Sequence, residues 1–299
     1  VNYCPKMVDL KVYIQLVLLC AVNVVFTCTG IFFNLLVIVS FWRSSAYLRS
    51  KLYYFMIMVL SFFDFLLVIT NHPFLVTRMV LWLKENNDVA KVQIYENFSI
   101  AFVGFSVMTL LVMSIERYIG AYYPFFHRTS LTRRRLLTLL AVLIPAPTIL
   151  LIISANDLVI SSAVVGIMFF FTTVPPFVFF NYKLFLISRK ARRDIARRRN
   201  NTPSPEISTL HVNLKNISTC LLSVACLLLT YFPAIFFFAF NFAEKPTSEN
   251  TAIARFWIST AGNVNSTMNC LIFFWKNDVL RREGKKTVKA MKSCFKFAC

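Results

Sequence analysis

The sequence predicts an all-α membrane protein: a seven-transmembrane helix bundle followed by an amphipathic C-terminal eighth helix. Three observations predict it. Hydrophobic residues make up 58% and charged residues 15% of the 299 residues, against about 45–50% and about 25% in soluble domains. Mean hydropathy is +0.64. Seven mostly apolar runs of bilayer-spanning length, roughly 12–42, 50–78, 92–121, 134–155, 158–188, 212–242 and 252–275, divide the chain. Finally, 32 Lys and Arg face only 13 Asp and Glu, and they concentrate between those runs.

The first run carries Asn34 and is longer than the apolar core of a signal peptide. The second carries Asp64 within LSFFDFLL, and the third ends in Ser114-Ile115-Glu116-Arg117-Tyr118. Only the short SANDLVISS separates the fourth from the fifth, which contains Pro175 and Pro176. A basic stretch, Arg189–His211, follows and is interrupted by Pro203 and Pro205. The sixth run holds TYFPAIFF, Thr230 to Phe237, where Pro233 removes a backbone donor and predicts a kink beside Tyr231. The seventh holds Asn265, Ser266 and Asn269. In the tail, Val279, Leu280, Val288, Met291 and Phe295 gather towards one face with Arg and Lys opposite, the pattern of a helix lying on a membrane surface. Cys294 and Cys299 there are either palmitoylation sites or free thiols. The organisation is thus an extracellular N-terminus over 1–11, a transmembrane domain over 12–276, and a cytoplasmic helix and tail over 277–299.

Charge placement sets the orientation. With the N-terminus outside, 25 of the 32 basic residues fall on the inner side, while the seven outer ones balance seven outer acids. The positive-inside rule then puts the C-terminus in the cytoplasm of a multi-pass plasma-membrane protein. An anionic inner leaflet explains the formal charge of +19 without nucleic acid.

Ionisable groups within hydrocarbon are costly and point to function. Asp64 needs partners, and Asn34, Ser106, Asn265, Ser266 and Asn269 are the mid-span oxygen-bearing residues that can supply them. One carboxylate with neutral oxygens suits a monovalent cation such as sodium, ordered water, or a polar network that ties helices together. Glu116 and Arg117 are an adjacent acid and base at the membrane edge: either a masked arginine released on opening, or a snorkelling interfacial residue.

Together these residues resemble the rhodopsin-like (class A) G-protein-coupled receptors over nearly the whole chain. Asn34 matches the family's first-helix Asn, Leu60-Ser61-Phe62-Phe63-Asp64 its LxxxD, and Glu116-Arg117-Tyr118 its [DE]RY motif. Pro233, with Tyr231 in the usual Trp place, matches CWxP. The segment from Asn265 to Phe273 is similar to NSxxNPLIY, with Cys270 for Pro and Phe273 for Tyr. The resemblance implies an allosteric sodium or water site at Asp64, Ser106, Asn265 and Asn269. It implies G-protein coupling through Glu116, Arg117 and Tyr118, and an activation switch at Tyr231, Pro233, Asn269 and Phe273. Asn213, where many members place an acid facing the third-helix arginine, is uncharged. That implies raised basal signalling.

The short second outer loop without a cysteine is similar to the melanocortin, cannabinoid, sphingosine-phosphate and adenosine branch. Ser99 stands where amine receptors need a carboxylate, and Asn263 where opsins need a lysine. Ligand contacts are expected at Glu96, Ser99, Ile100, Val103, Tyr231, Ile235, Phe238, Ser259 and Asn263. These are mostly apolar, which favours a lipid or small hydrophobic molecule; a peptide contacting Glu96 is the other reading. The implied partners are a heterotrimeric G protein, an extracellular ligand and membrane lipid, with no resident cofactor beyond sodium. A seven-span transporter is the alternative, but repeated halves with broken helices are not visible. Enzymatic activity is not expected, because His72, His127 and His211 lie in separate regions and offer no zinc cluster.

Overall fold

A computed structural model describes the backbone at 9–84, 89–143, 162–198, 205–240 and 249–298, and side chains at 9–46, 48–84, 102–143, 173–196, 214–232 and 249–293. The described residues form ten helices: α1 (Leu10–Arg43), α2 (Ala46–Ser50), α3 (Leu52–Leu83), α4 (Val89–Tyr122), α5 (Pro124–Thr129), α6 (Arg133–Leu143), α7 (Ser162–Arg198), α8 (Pro205–Phe240), α9 (Glu249–Lys276) and α10 (Asp278–Ala298).

Local chemistry sets the helix ends. Asp9 caps α1 by accepting from the Lys11 amide, and Ser45 caps α2 through the Leu48 amide. Pro124 opens α5 at a first-turn position, where its missing N–H costs nothing. Asn277 separates α9 from α10: its Oδ1 accepts from the Val279 amide at 3.2 Å and the Leu280 amide at 3.1 Å.

α1 lies along α3 and α9; α3 also meets α4 and α9; α4 packs on α7 and α8; and α7, α8 and α9 complete the bundle. α1, α3, α4 over Phe102–Tyr122 and α8 over Leu214–Phe232 are long and apolar enough to cross a bilayer. α9 is 28 residues long, but its buried face is rich in Asn, Ser and Thr. Part of the fourth run and the start of the fifth, 144–161, lie outside the described residues.

Two apolar clusters hold the bundle. The larger, at the middle and inner levels, gathers Met56, Leu60, Leu110, Met113, Leu136 and Phe273. The smaller closes the outer corner of α1, α3 and α9 with Leu16, Leu19, Leu75, Met79 and Phe256. Meanwhile Phe32, Phe62, Phe179, Phe185, Leu229 and Phe232 point outward and exposed. Water does not tolerate so much apolar surface, whereas acyl chains do. The protein is a multi-pass, all-α membrane bundle.

α10 turns only part of its expected face inward. Leu280, Gly284 and Thr287 are buried, and Val288 packs on the core, whereas Met291 is exposed. Ser40 of α1 donates to Thr287 at 3.2 Å, so a polar pair contributes to docking this helix. The side chains of Phe295 and Cys294, and Cys299 altogether, lie outside the described residues.

Candidate functional site

The centre of the bundle is polar where lipid physics would make it apolar. Asp64 of α3 is fully buried. It accepts from Ser106 Oγ of α4 at 2.6 Å and from Asn269 Nδ2 of α9 at 3.1 Å. Three helices thus meet on one carboxylate, which is how a charge-bearing group is accommodated within a span.

The surrounding amides leave oxygen atoms free. Asn34 Nδ2 donates to the Gly30 carbonyl at 3.0 Å, and a carbonyl only accepts, so the amide orientation is fixed and Oδ1 faces away. Asn34 Oδ1, Asn265 Oδ1 and Asn269 Oδ1 are all buried without a hydrogen-bond partner. Buried oxygens left without a donor are the chemistry a hard monovalent cation satisfies. Asn265 is buried without bonding to Asp64, and Ser266 turns its hydroxyl to the Asn263 carbonyl at 2.7 Å. The oxygen-bearing residues present would suit a sodium ion.

A close approach of α1 and α9 creates this geometry. A Cβ on Gly30 would stand 2.5 Å from Thr267 Oγ1 and 2.9 Å from Val68 Cγ2. The absent side chain is the notch into which Thr267 fits, while its hydroxyl donates to the Phe26 carbonyl at 3.2 Å.

Further out, Asn23, His72 and Thr260 form a second buried polar group across α1, α3 and α9. Asn23 Nδ2 donates to the Leu19 carbonyl and to Thr260 Oγ1, both at 2.9 Å. Asn23 Oδ1 is therefore left for His72 Nδ1, at 2.7 Å. The outer apolar cluster covers this group from above, so it ties helices together beneath a dry lid.

Near its C-terminal end, α4 presents Glu116 and Arg117. Glu116 is fully buried and Arg117 nearly so, and the two form a bidentate ion pair. Two further contacts were not legible in the sequence. The Arg117 guanidinium lies over the Tyr53 ring of α3, 4.7 Å from its centroid. His127 Nε2, from α5, meets Glu116 Oε1 at 2.7 Å. Asn213 carries no charge, and the Tyr53 face lies against Arg117 in addition to Glu116. Tyr118 points away and stacks on Tyr122.

α8 is tied to its neighbours on two sides. Ser114 Oγ of α4 donates to Asn181 Oδ1 of α7 at 3.2 Å and lies 3.6 Å from Cys220 of α8. Lys215 of α8 pairs with Asp278 at the start of α10. Its hydrogen bond to Lys215 holds the Asp278 carboxyl below the usual carboxylate range, although the pair is half-exposed and weak.

Residues 33–154 match the family model for the 7 transmembrane receptor (rhodopsin family). Over these 122 of its 299 residues the chain is similar to rhodopsin-family receptors. The matched stretch contains Asn34, Asp64, Ser106 and the Glu116-Arg117-Tyr118 motif, the same residues that the structure gathers along α1, α3 and α4. No curated protein shows a match to the chain. Members of this family are receptors rather than enzymes.

Of the remaining predicted residues, Phe273 is fully buried in the inner core, and Asn263 is buried. Tyr231 reaches the Gly262 carbonyl at 3.4 Å, coupling α8 to α9. Val103 and Ser259 are half-buried. The side chains of Glu96, Ser99, Ile100, Pro233, Ile235 and Phe238 lie outside the described residues.

Proposed function

We propose that the receptor sits in the plasma membrane with its N-terminus outside and converts binding of an extracellular ligand into activation of a heterotrimeric G protein. The observation that carries this reading is Arg117, an arginine held near the end of α4 by a buried acid and an aromatic face. A cation stored this way can leave for a partner's carbonyl oxygens once α8 moves. Beside it, Phe125 of α5 is 80% exposed, an apolar contact offered on the inner side.

The bundle then acts as a two-state device biased by ligand. In the resting state Asp64, Ser106, Asn265 and Asn269 would hold a sodium ion. In the active state α8 swings outward about Pro233, with Tyr231, Asn269 and Phe273 repacking and Glu116, Arg117 and Tyr118 meeting the G protein. The basic face of α10, with exposed Arg281, Arg282, Lys285, Lys286, Lys289 and Lys292, supports contact with anionic lipid. Palmitate on Cys294 and Cys299 would strengthen that anchor. Apolar Ile100, Val103, Ile235 and Phe238 in the outer half favour a lipid or small hydrophobic agonist; Glu96 is the residue a cationic peptide would use.

Membranes carrying the receptor, reconstituted with a panel of G proteins and challenged with lipids and peptides, test the reading. Stimulated GTP loading supports it, and Glu96→Ala distinguishes the ligand classes. Tracer flux across vesicles without GTP loading overturns it in favour of transport. The Tyr53 face makes a sharper prediction. Tyr53→Leu is expected to raise agonist-free GTP loading by roughly three- to tenfold, the value of a desolvated cation–π contact, while Tyr53→Phe stays near wild type.

A further inference from the structure

His127 is one of three histidines in the chain, and no role so far uses it. It lies on α5, the short helix joining α4 to α6, and its ring is about one-fifth exposed to the cytoplasmic side. Its place is constructed rather than incidental. Pro124 starts α5 one turn earlier. The His127 amide donates to the Tyr123 carbonyl at 2.9 Å, fixing the turn that aims the ring at α4. On α4, the residue facing the ring is Gly120, one turn beyond Glu116. A Cβ there would stand 3.2 Å from His127 Cδ2 and 3.4 Å from Nε2. A side chain at Gly120 would press on the imidazole and push it away from α4.

The charges around this imidazole determine its effect. From α4 it meets the carboxylate of Glu116, whose other partner is Arg117. From its own helix comes Arg128, which shares the cleft formed by Arg117, Gly120, Pro124, His127 and Ile217. Of the basic residues at the start of α6, Arg135 is turned to the Ser130 carbonyl and Arg133 lies over Phe55 of α3. From α8, Ile217 closes the cleft, Cys220 lies deeper, and Lys215 is engaged with Asp278. Tyr118, Tyr122 and Tyr123 stack on one another nearby. Glu116 is thus the one acidic group that faces the ring among the described residues.

We propose that His127 is a positioning residue that clamps α5 onto the Glu116–Arg117 pair and makes the receptor's resting state sensitive to cytoplasmic pH. A protonated imidazole gives Glu116 a charge-assisted hydrogen bond, keeps that acid ionised, and so keeps Arg117 paired. A neutral imidazole gives a weaker bond. The clamp is therefore tighter with the imidazole protonated than with it neutral.

The proposal rests on G-protein coupling for its signalling readout, so the experiment carries a second readout that does not. In inside-out membranes, agonist-free GTP loading by wild type is expected to rise roughly fivefold between about pH 6 and about pH 8, relative to the same G protein alone. His127→Ala is expected to be high and flat over that window. Gly120→Leu, which pushes the ring off α4, should behave like His127→Ala, and the double variant should add nothing. In purified receptor without G protein, hydrogen exchange at the amides of 124–130, corrected for intrinsic rate, should quicken at the higher pH in wild type and be fast at both in His127→Ala. If wild type and His127→Ala share one pH profile and one exchange pattern, the clamp is wrong. If no G protein responds at all, the coupling reading fails, and the exchange measurement still decides the clamp.

Discussion

Membranes bearing Asp64→Asn are expected to load GTP equally in sodium and in potassium, whereas wild-type membranes load roughly tenfold less in sodium, a typical coupling between two sites. The substitution is nearly isosteric, and Ser106 can still donate to the new amide oxygen. The new amide nitrogen, however, now faces Asn269 Nδ2, which donates to Asp64 Oδ2 at 3.1 Å in the native site. Asn269 relieves that donor–donor clash by rotating its own amide, which removes its free Oδ1 as well. One substitution therefore removes the charge and one of three unpaired amide oxygens. Thermal unfolding checks it without a G protein: sodium should raise the midpoint of wild type and leave that of the variant unmoved. Persistent sodium dependence in Asp64→Asn would place the ion elsewhere.

Gly30→Val is expected to cost about 3 kcal/mol of stability, the upper range for forcing atoms into a packed core. The valine Cβ would lie 2.5 Å from Thr267 Oγ1 and 2.9 Å from Val68 Cγ2, so both neighbours must move. The first is bonded to α1 through the Phe26 carbonyl and has no free direction. Separating α1 from α9 also draws Asn265 and Asn269 away from Asp64, so the sodium response should decline together with the unfolding midpoint. Gly30→Ala should show the same effects at smaller size. A Gly30→Val receptor with an unchanged midpoint would mean that the two helices tolerate separation, and the notch would have no structural role.

These two positions show how differently the site can be read. Asp64 stands out in sequence because a carboxylate in LSFFDFLL violates the chemistry of its surroundings. Its hydroxyl and amide partners stand out for the same reason, since oxygen-bearing side chains are conspicuous in apolar runs. Gly30 sits unremarkably in CTGIFF, where a glycine has many possible reasons. His127 and Tyr53 were equally silent. A histidine in a short basic loop and a tyrosine at a helix start each have ordinary interfacial roles, and nothing in their spacing links them to Glu116 or Arg117. His72 was weighed only as a metal ligand, yet it completes a hydrogen-bonded group with Asn23, an asparagine that carried no signal of its own. The tail was legible as amphipathic, but which residues face the bundle was not: Gly284 and Thr287 are buried where an apolar stripe alone would favour Met291.

By itself the sequence determined that the chain is a membrane bundle, roughly where its spans run, and that polar residues collect at its middle and inner edge. Hydrocarbon imposes those features one segment at a time, through length, apolarity and the cost of each misplaced charge. Tertiary structure alone decided which polar atoms are paired and which oxygens are left free. It also decided that an aromatic face rather than a second acid restrains Arg117, and that a loop histidine reaches Glu116 across a glycine. Such contacts join residues from eleven to more than two hundred positions apart through angles and ångström-scale gaps, and no one-dimensional periodicity encodes them.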